Sequence, residues 1–457
     1  VSARQRVAVL DVGRTHTRLA LVDAGTAEVV SLATRASFLE EEPPYRHLAL
    51  DQTEAWLLEQ LADLSARGLA PDAIVPVAHG ATAALLAGEE LALPVLDYTV
   101  PIPSLDPGEG HFAETLSPRL PGGLNLASQL AWLQAEHPEA FARADALLLH
   151  PQVWAWRLSG ARVTEVTSLG CHTHLWNARE GRPSRLALDR GWSDLLPPLA
   201  RADAVVGGLR PEVAARTGLP AATPVLAGLH DSNAAWWSHR RRHEGQLSVV
   251  STGTWTVVMA RGGALGNLRE ERDQLAGVEL TGEPVATMRT PGGLEHAALL
   301  DGAEPRPTSI EGDLLPALAS GALPLPAFDA SGGPFRASAG RIEGEVGGKR
   351  HGLAALYGAW MIDLCLEELG AGMGEVVVEG PAAQDAALLA ALATLRASQR
   401  VTRSTDPSGS LLGAASLAAP DLPTTAAEEV PALQGEQAEL LLRRTRAWRE
   451  RLPRAGS

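Results

Sequence analysis

Cysteine is scarce in this chain. Only Cys171 and Cys365 occur in 457 residues, far apart and in no CxxC arrangement, which argues against a disulfide framework and fits a reducing compartment. Basic residues are also in deficit: 39 Lys and Arg face 54 Asp and Glu, for a formal charge of −15. A broad nucleic-acid surface needs the opposite balance, so no nucleic-acid partner is expected, although one local site can still hold a small anion. The densest basic run, Arg240-Arg241-Arg242, is expected on a solvated helix end. No long apolar run and no leader with a cleavage signal occurs, so no membrane partner is expected and the location is expected to be cytoplasmic. Tyr and Phe number only three and five against eleven Trp. Most of the Trp are expected in the core.

What is present is an ordinary globular composition, 45% apolar and 20% charged, in a chain long enough for two domains of roughly 200 residues each. The opening alternates strand and turn: Val7–Leu10, a Gly-containing turn at Asp11–Thr15, then Arg18–Val22 and Val29–Leu32. A helix follows, with Asp51 as its cap, Glu54 as the reciprocal partner, an apolar stripe through Leu57, Leu61 and Leu64, and Gly68 as its stop. Strand Ala73–Ala78 comes next, and strand, helix, strand indicates an α/β fold. Near residue 246 the opening is echoed by a strand, a hydroxyl-rich Gly turn at 251–254 and another strand, which marks a second domain of related architecture. The boundaries expected are 1–243, 244–430 and a C-terminal tail at 431–457, either a docking helix or a frayed end. A core helix is expected from Gly352 to Leu369, a strand at Val376–Val378 and another helix from Gln384 to Leu395.

Several segments carry chemistry. In Asp11-Val12-Gly13-Arg14-Thr15 a Gly turn after a buried strand lets backbone N–H groups approach a phosphate. Asp11 could hold Mg²⁺, directly or through water, while Thr15 and Arg14 could meet phosphate oxygens; an ordinary tight turn is the alternative. Thr252-Gly253-Thr254 offers a similar turn from a second wall, with Trp255 as packing support. In His230-Asp231 the carboxylate could orient an attacking hydroxyl and take its proton, with His230 bonding the substrate, or Asp231 could simply cap a helix. His79 and the segment Cys171-His172-Thr173-His174 could be core, capping or substrate-contact residues; convergence of His172, His174 and His230 on zinc is a weaker alternative. Gly380 with Gln384, then Gly409 and Gly413, could admit a flat adenine or ribose, with Ser404, Thr405 and Asp406 on the rim, or each Gly could simply mark a turn.

The motifs VAVLDVGRTHTRLALVD at 7–23, PVLAGLHDSNAAW at 224–236, VVSTGTW at 249–255, VVVEGPAAQ at 376–384 and STDPSGSLLGAA at 404–415 together resemble the FGGY carbohydrate kinases of the sugar kinase, Hsp70 and actin superfamily. The resemblance runs from about residue 5 to 420. It implies two actin-like (ribonuclease H-like) domains with a central cleft, the sugar held by the first and ATP by the second. By the family's pattern Asp231 is the general base and Asp11 lies near Mg²⁺. Gly13, Arg14 and Thr15 belong to the first phosphate loop and Thr252, Gly253 and Thr254 to the second. Gly380 and Gln384 belong to the adenosine motif. His79 and His230 fall where sugar contacts are made, with Asp97 a further sugar contact. L-rhamnulose and L-fuculose kinases are the nearest kinds, and xylulose kinases follow. Two departures stand out: His174 occupies a position where Asp is expected, and Arg14 one where Lys is common. A homodimer is the expected assembly. A non-transferring ATPase or sugar sensor on the same scaffold, or a metal-dependent hydrolase, are the competing expectations.

Overall fold

A computed structural model describes residues 5–404, 408–424 and 427–453. Thr405 and Asp406, expected on an adenosine rim, lie outside the described residues. The fold is α/β, with two large mixed sheets flanked by helices. The chain divides into two compact units. The first comprises Val1–Arg242, Ala276–Pro284 and Ser408–Thr424, and the second His243–Leu275, Val285–Pro407 and Thr425–Ser457. By contacts, 276–284 and 408–424 of the expected 244–430 segment pack with the first unit.

In the first unit, strand Arg6–Val12 pairs antiparallel with His16–Asp23, which pairs antiparallel with Glu28–Ala36. On its other side Arg6–Val12 runs parallel to Ala73–Ala78, which is parallel in turn to Val225–Leu226 and Leu229–His230. Val7, Val9, Ala8 and Leu10 are fully buried, alternating between the two faces of the sheet. One face packs on helices Leu50–Ala66 and His150–Ser159. The other takes helix Gly409–Ala418 through Leu411, Leu412 and Ala415. Each buried Val or Leu contributes about 1.5–3 kcal/mol by burial.

Some local expectations fail for tertiary reasons. Helix Leu50–Ala66 has Ala49 at its cap and no side-chain cap bond; Asp51 Oδ1 and Glu54 Oε2 instead accept from Arg157. Gly413 is no turn. It lies inside helix Gly409–Ala418, where a Cβ would sit 1.9 Å from the carbonyl oxygen of Ala234 on helix Asp231–Arg240. The Arg240–Arg242 run is bound rather than solvated: Arg240 pairs with Glu279 at 3.2 Å and Arg241 donates to the Pro420 carbonyl at 3.3 Å.

The second unit repeats the pairing of the first. Leu247–Thr252 is antiparallel to Thr256–Arg261, which is antiparallel to Pro284–Thr290; on the other side Leu247–Thr252 is parallel to Glu375–Glu379, then Val401–Ser404. The echo in the sequence is thus a repeated sheet topology. Helix Arg350–Glu368 is the core of this unit, with Trp360 fully buried. The tail forms helix Gly435–Arg449 and docks: Trp448 stacks on Trp360 with centroids 5.2 Å apart and donates to the Pro324 carbonyl at 2.7 Å. Among the described residues no helix is long and apolar enough to cross a membrane.

Candidate functional site

In the first unit three parallel strands end level with one another, because Val12, Ala78 and His230 are in register. The residues leaving those ends are Asp11 to Gly13, His79-Gly80 and His230-Asp231. Carboxyl ends of parallel strands are where open α/β sheets gather ligand groups.

Asp11 is buried and faces Arg18 across the hairpin, Oδ2 to Nη2 2.6 Å. Burial raises its pKa to about 6; Arg18 opposes the shift and nearby Asp231 adds to it. The turn beyond is tied down by Gly13 N–H to the His16 carbonyl (2.9 Å) and by Ser37 Oγ to the Gly13 carbonyl (2.7 Å). A Cβ on Gly13 would sit 2.9 Å from the His16 oxygen. Thr15 is exposed at the tip.

His79 is buried. Its Nδ1 lies 2.8 Å from the Gly80 carbonyl and so carries the proton, which leaves Nε2 as an acceptor with no partner. Burial holds the ring's pKa below the ordinary value, so it is neutral. Its edge meets Tyr98 at 5.7 Å and His150 at 4.5 Å between centroids.

Asp231 begins helix Asp231–Arg240 and His230 holds the cap position. Asp231 Oδ1 accepts from Ser232 N–H at 2.6 Å and lies 3.2 Å from His230 Nε2. The same nitrogen is 3.4 Å from Cys171 Sγ. Asn233 donates Nδ2–H to the Val278 carbonyl, which turns its Oδ1 to accept from His230 Nδ1 at 3.2 Å. Burial opposes charge on His230, yet Cys171, Asp231 and these bonds raise its pKa to about 10. The Cys171 thiol goes to about 5, against its own burial, because His172 and His230 favour the thiolate. A side chain at Gly80 would crowd this pair, its Cβ 3.0 Å from His230 Nε2 and 3.2 Å from Cys171 Sγ. From behind, His230 N–H donates to Thr167 Oγ1 (3.1 Å), whose hydroxyl donates to the fully buried Glu165 (2.6 Å).

Arg14 and Asp97 lie together. Asp97 Oδ2 receives Arg14 Nη2 at 3.1 Å, Arg46 Nε at 2.8 Å and Thr99 Oγ1 at 2.8 Å, and Oδ1 receives Thr99 N–H at 3.2 Å. The arginine expected on a phosphate is therefore held by the carboxylate expected on the sugar. His174 packs against His111 at 4.6 Å and donates Nε2–H to the Pro118 carbonyl at 3.0 Å. His172 Nδ1 bonds to the Leu124 carbonyl. The three histidines considered for zinc thus have separate partners, and among the described residues no group of three or more His, Cys, Asp or Glu could hold a metal.

The second unit encloses a cavity of about 460 Å³. Thr252, Gly253 and Gly293 line one part of it; Tyr357, Met361 and Leu388 provide apolar wall, and Gln384 and Asp385 polar groups. Gly253 and Thr254 are locked to the start of helix Gly292–Leu300: Gly293 N–H donates to the Thr254 carbonyl at 3.1 Å, and a Cβ on Gly293 would sit 2.3 Å from the Gly253 oxygen. Gly380 is not in the lining. It has φ 78°, and a Cβ there would meet the Thr252 carbonyl at 2.0 Å. It allows Thr252 Oγ1 to donate to the Glu379 carbonyl (2.6 Å) and accept from Ala382 N–H (3.0 Å). Trp255 packs, with Gly332 fitted against its ring and Arg289 over its face at 5.7 Å. At the inner wall Glu295 accepts from Tyr357 OH at 2.6 Å and Phe328 N–H at 3.0 Å. Gly292 and Gly293 escaped the sequence analysis, although Pro291-Gly292-Gly293 after a strand is a turn signal. Tyr98, Arg18 and Arg46 escaped because only the fold assembles their contacts.

The comparisons with known proteins bear on both units. Residues 121–237 match the N-terminal domain model of the FGGY family of carbohydrate kinases and 244–427 its C-terminal domain model. A carbohydrate kinase from Novosphingobium aromaticivorans is 34% identical with TM-score 0.88, covering 98% of this chain and 100% of that one. The chain belongs to the FGGY family of carbohydrate kinases. A xylulose kinase from Rhodospirillum rubrum, 19% identical over 98% of each chain, has TM-score 0.76 and shares the FGGY fold. L-fuculokinase of Salmonella typhi is 27% identical over 274 residues, 56% of this chain and 57% of that one. L-fuculokinase of Escherichia coli is 32% identical over 138 residues, 30% and 29% respectively. The chain thus spans from 24% to 57% of the length of the curated relatives it matches.

Proposed function

We propose that this chain transfers the γ-phosphoryl group of ATP to a hydroxyl of a small sugar, a ketose or deoxy-ketose of the L-fuculose, L-rhamnulose or xylulose kind. The observation that carries this is the grouping of an exposed-edged carboxylate, Asp231, with a buried neutral acceptor, His79 Nε2, at the ends of the first unit's parallel strands. Asp231 orients the hydroxyl and takes its proton as the oxygen bonds to the γ-phosphorus and the bond to the β-phosphate oxygen breaks, releasing ADP. His79 accepts a bond from another sugar hydroxyl, and His230 Nε2, 3.2 Å from Asp231 Oδ1, helps to position the carboxylate. The names of the curated relatives, L-fuculokinase and L-xylulose kinases among them, support a ketose acceptor.

The second unit's cavity, lined by Thr252, Gly253 and Gln384 among others, suits adenosine; the Thr252–Thr254 turn is assigned to the phosphates and Gln384 to the nucleoside. The Gly13–Thr15 turn is assigned to the γ-phosphate from the first unit. The repeated sheet topology supports two actin-like domains. Asp11 fits a magnesium ion brought in with the nucleotide, because a buried carboxylate with a raised pKa gains from a cation and Mg²⁺ needs only one or two carboxylates besides phosphates and water. When bound, Mg²⁺ supplies charge neutralisation at the phosphates.

The test is ADP release with Mg-ATP across ketoses, aldoses and polyols, followed by identification of the product. A phosphorylated ketose is the expected result. ADP without a phosphorylated sugar would instead indicate a non-transferring ATPase.

A further inference from the structure

Among the described residues, the arginines beside the proposed acceptor site, Arg14, Arg18 and Arg46, are each paired with a carboxylate. Arg14 lies over the Tyr98 ring at 5.7 Å, and Tyr98 meets His79 edge-on. Arg14 and Arg46 share the buried carboxylate of Asp97, at 3.1 and 2.8 Å, and Arg46 also reaches Glu41 at 3.7 Å. Arg18 is bonded to Asp11 at 2.6 Å. Three guanidinium groups therefore face three carboxylates (Asp11, Glu41 and Asp97), the Cys171–His230 pair sums to zero, and Asp231 remains as an excess negative charge. An anionic acceptor would meet that charge with no guanidinium free to answer it, whereas a neutral polyol needs none.

From this arrangement we infer that the acceptor is an uncharged sugar rather than a sugar acid, and that Asp97 enforces the choice by masking Arg14 and Arg46. The inference rests on the kinase reading and deepens it. Asp97 is a specificity-determining residue that acts through the two arginines. It is fixed in that role by the Thr99 hydroxyl and N–H as well as by the guanidinium groups, so both of its oxygens face inward partners. The substitution Asp97→Asn keeps the shape and removes the mask, and Arg14 becomes available to a carboxylate, for which a guanidinium has the matching fork of donors.

The experiment compares a neutral ketose with the 2-keto sugar acid of the same chain length, by calorimetric binding and by kcat/KM with Mg-ATP. The wild type is expected to favour the ketose by at least about tenfold, and Asp97→Asn to reduce that preference by about tenfold, mainly through KM of the acid. Adding Arg14→Gln to Asp97→Asn should abolish the gain. Equal or tighter binding of the acid by the wild type would overturn the inference, as would an unchanged ratio in a folded Asp97→Asn protein. The wild-type comparison decides the matter even where Asp97→Asn does not fold. A ketose that binds selectively but is never phosphorylated would uphold the inference and remove the kinase reading.

Discussion

Asp231 Oδ1 and Cys171 Sγ flank the same atom, Nε2 of His230, at 3.2 and 3.4 Å. Two anionic groups on one buried imidazole keep it protonated, and the raised pKa of about 10 follows although burial alone would lower it. A histidine raised in this way stabilises the fold fully below its unfolded pKa, and that stability is lost as pH rises through about 10. Cys171→Ser removes the thiolate. The His230 titration, followed by NMR of its ring protons, should then move down by about one unit or more, and the alkaline fall in stability should begin earlier. An unmoved midpoint would show that the thiolate does not hold the charge.

Glu165 supports the same segment from behind through Thr167. Its carboxyl is fully buried, and burial raises its pKa to about 7, although Thr167 and Ser168 donate to it. Because the folded state holds the proton more tightly than the unfolded chain, stability falls as pH rises from the unfolded value toward about 7. The fall amounts to about 3 kcal/mol. Glu165→Gln carries no such titration. Whatever its constant offset, its Tm relative to wild type should rise between about pH 5 and about pH 8. A difference that stays flat across this range would show that Glu165 is ionised throughout.

In the second unit the close approach of Gly380 to the Thr252 carbonyl allows no Cβ. Gly380→Ala must move the strand end or break the Thr252 ties to Glu379 and Ala382. The expected cost is about 1–3 kcal/mol in stability. A weaker Mg-ATP affinity, measured by calorimetry on the folded protein, should accompany it. Unchanged affinity would separate Gly380 from the nucleotide cavity.

Much of this architecture is written locally. The fully apolar Val7–Leu10 run, the Gly-containing turn after it and the second such turn at 251–254 mark strand ends by chemistry that acts within a few residues. The repeated meander of each sheet follows from them. What the sequence hides is the choice among partners. Arg14 sits in a phosphate-like turn, yet its partner Asp97 is 83 residues away. Asp51 and Glu54 have the spacing of a capping box, but Arg157 offers them a charge. Gly413 resembles a turn signal and is a contact surface between two helices. The second half of the chain also supplies pieces of the first unit, 276–284 and 408–424, which no linear boundary expresses. Among the site residues, His230-Asp231 stood out as an imidazole and a carboxylate near Gly228 at a helix start, and His79 as the residue that follows strand Ala73–Ala78; Tyr98 and Arg46 stand in loops and gain meaning only from what they touch.

The account's central claim is that Asp231 aims a sugar hydroxyl at bound ATP. The most direct test is the rate of phosphorylated-sugar formation by Asp231→Asn, with Mg-ATP affinity measured on the same sample. A drop of about 10²–10⁴-fold in turnover with the affinity for Mg-ATP essentially unchanged is the expected result. Turnover near that of the wild type would contradict it.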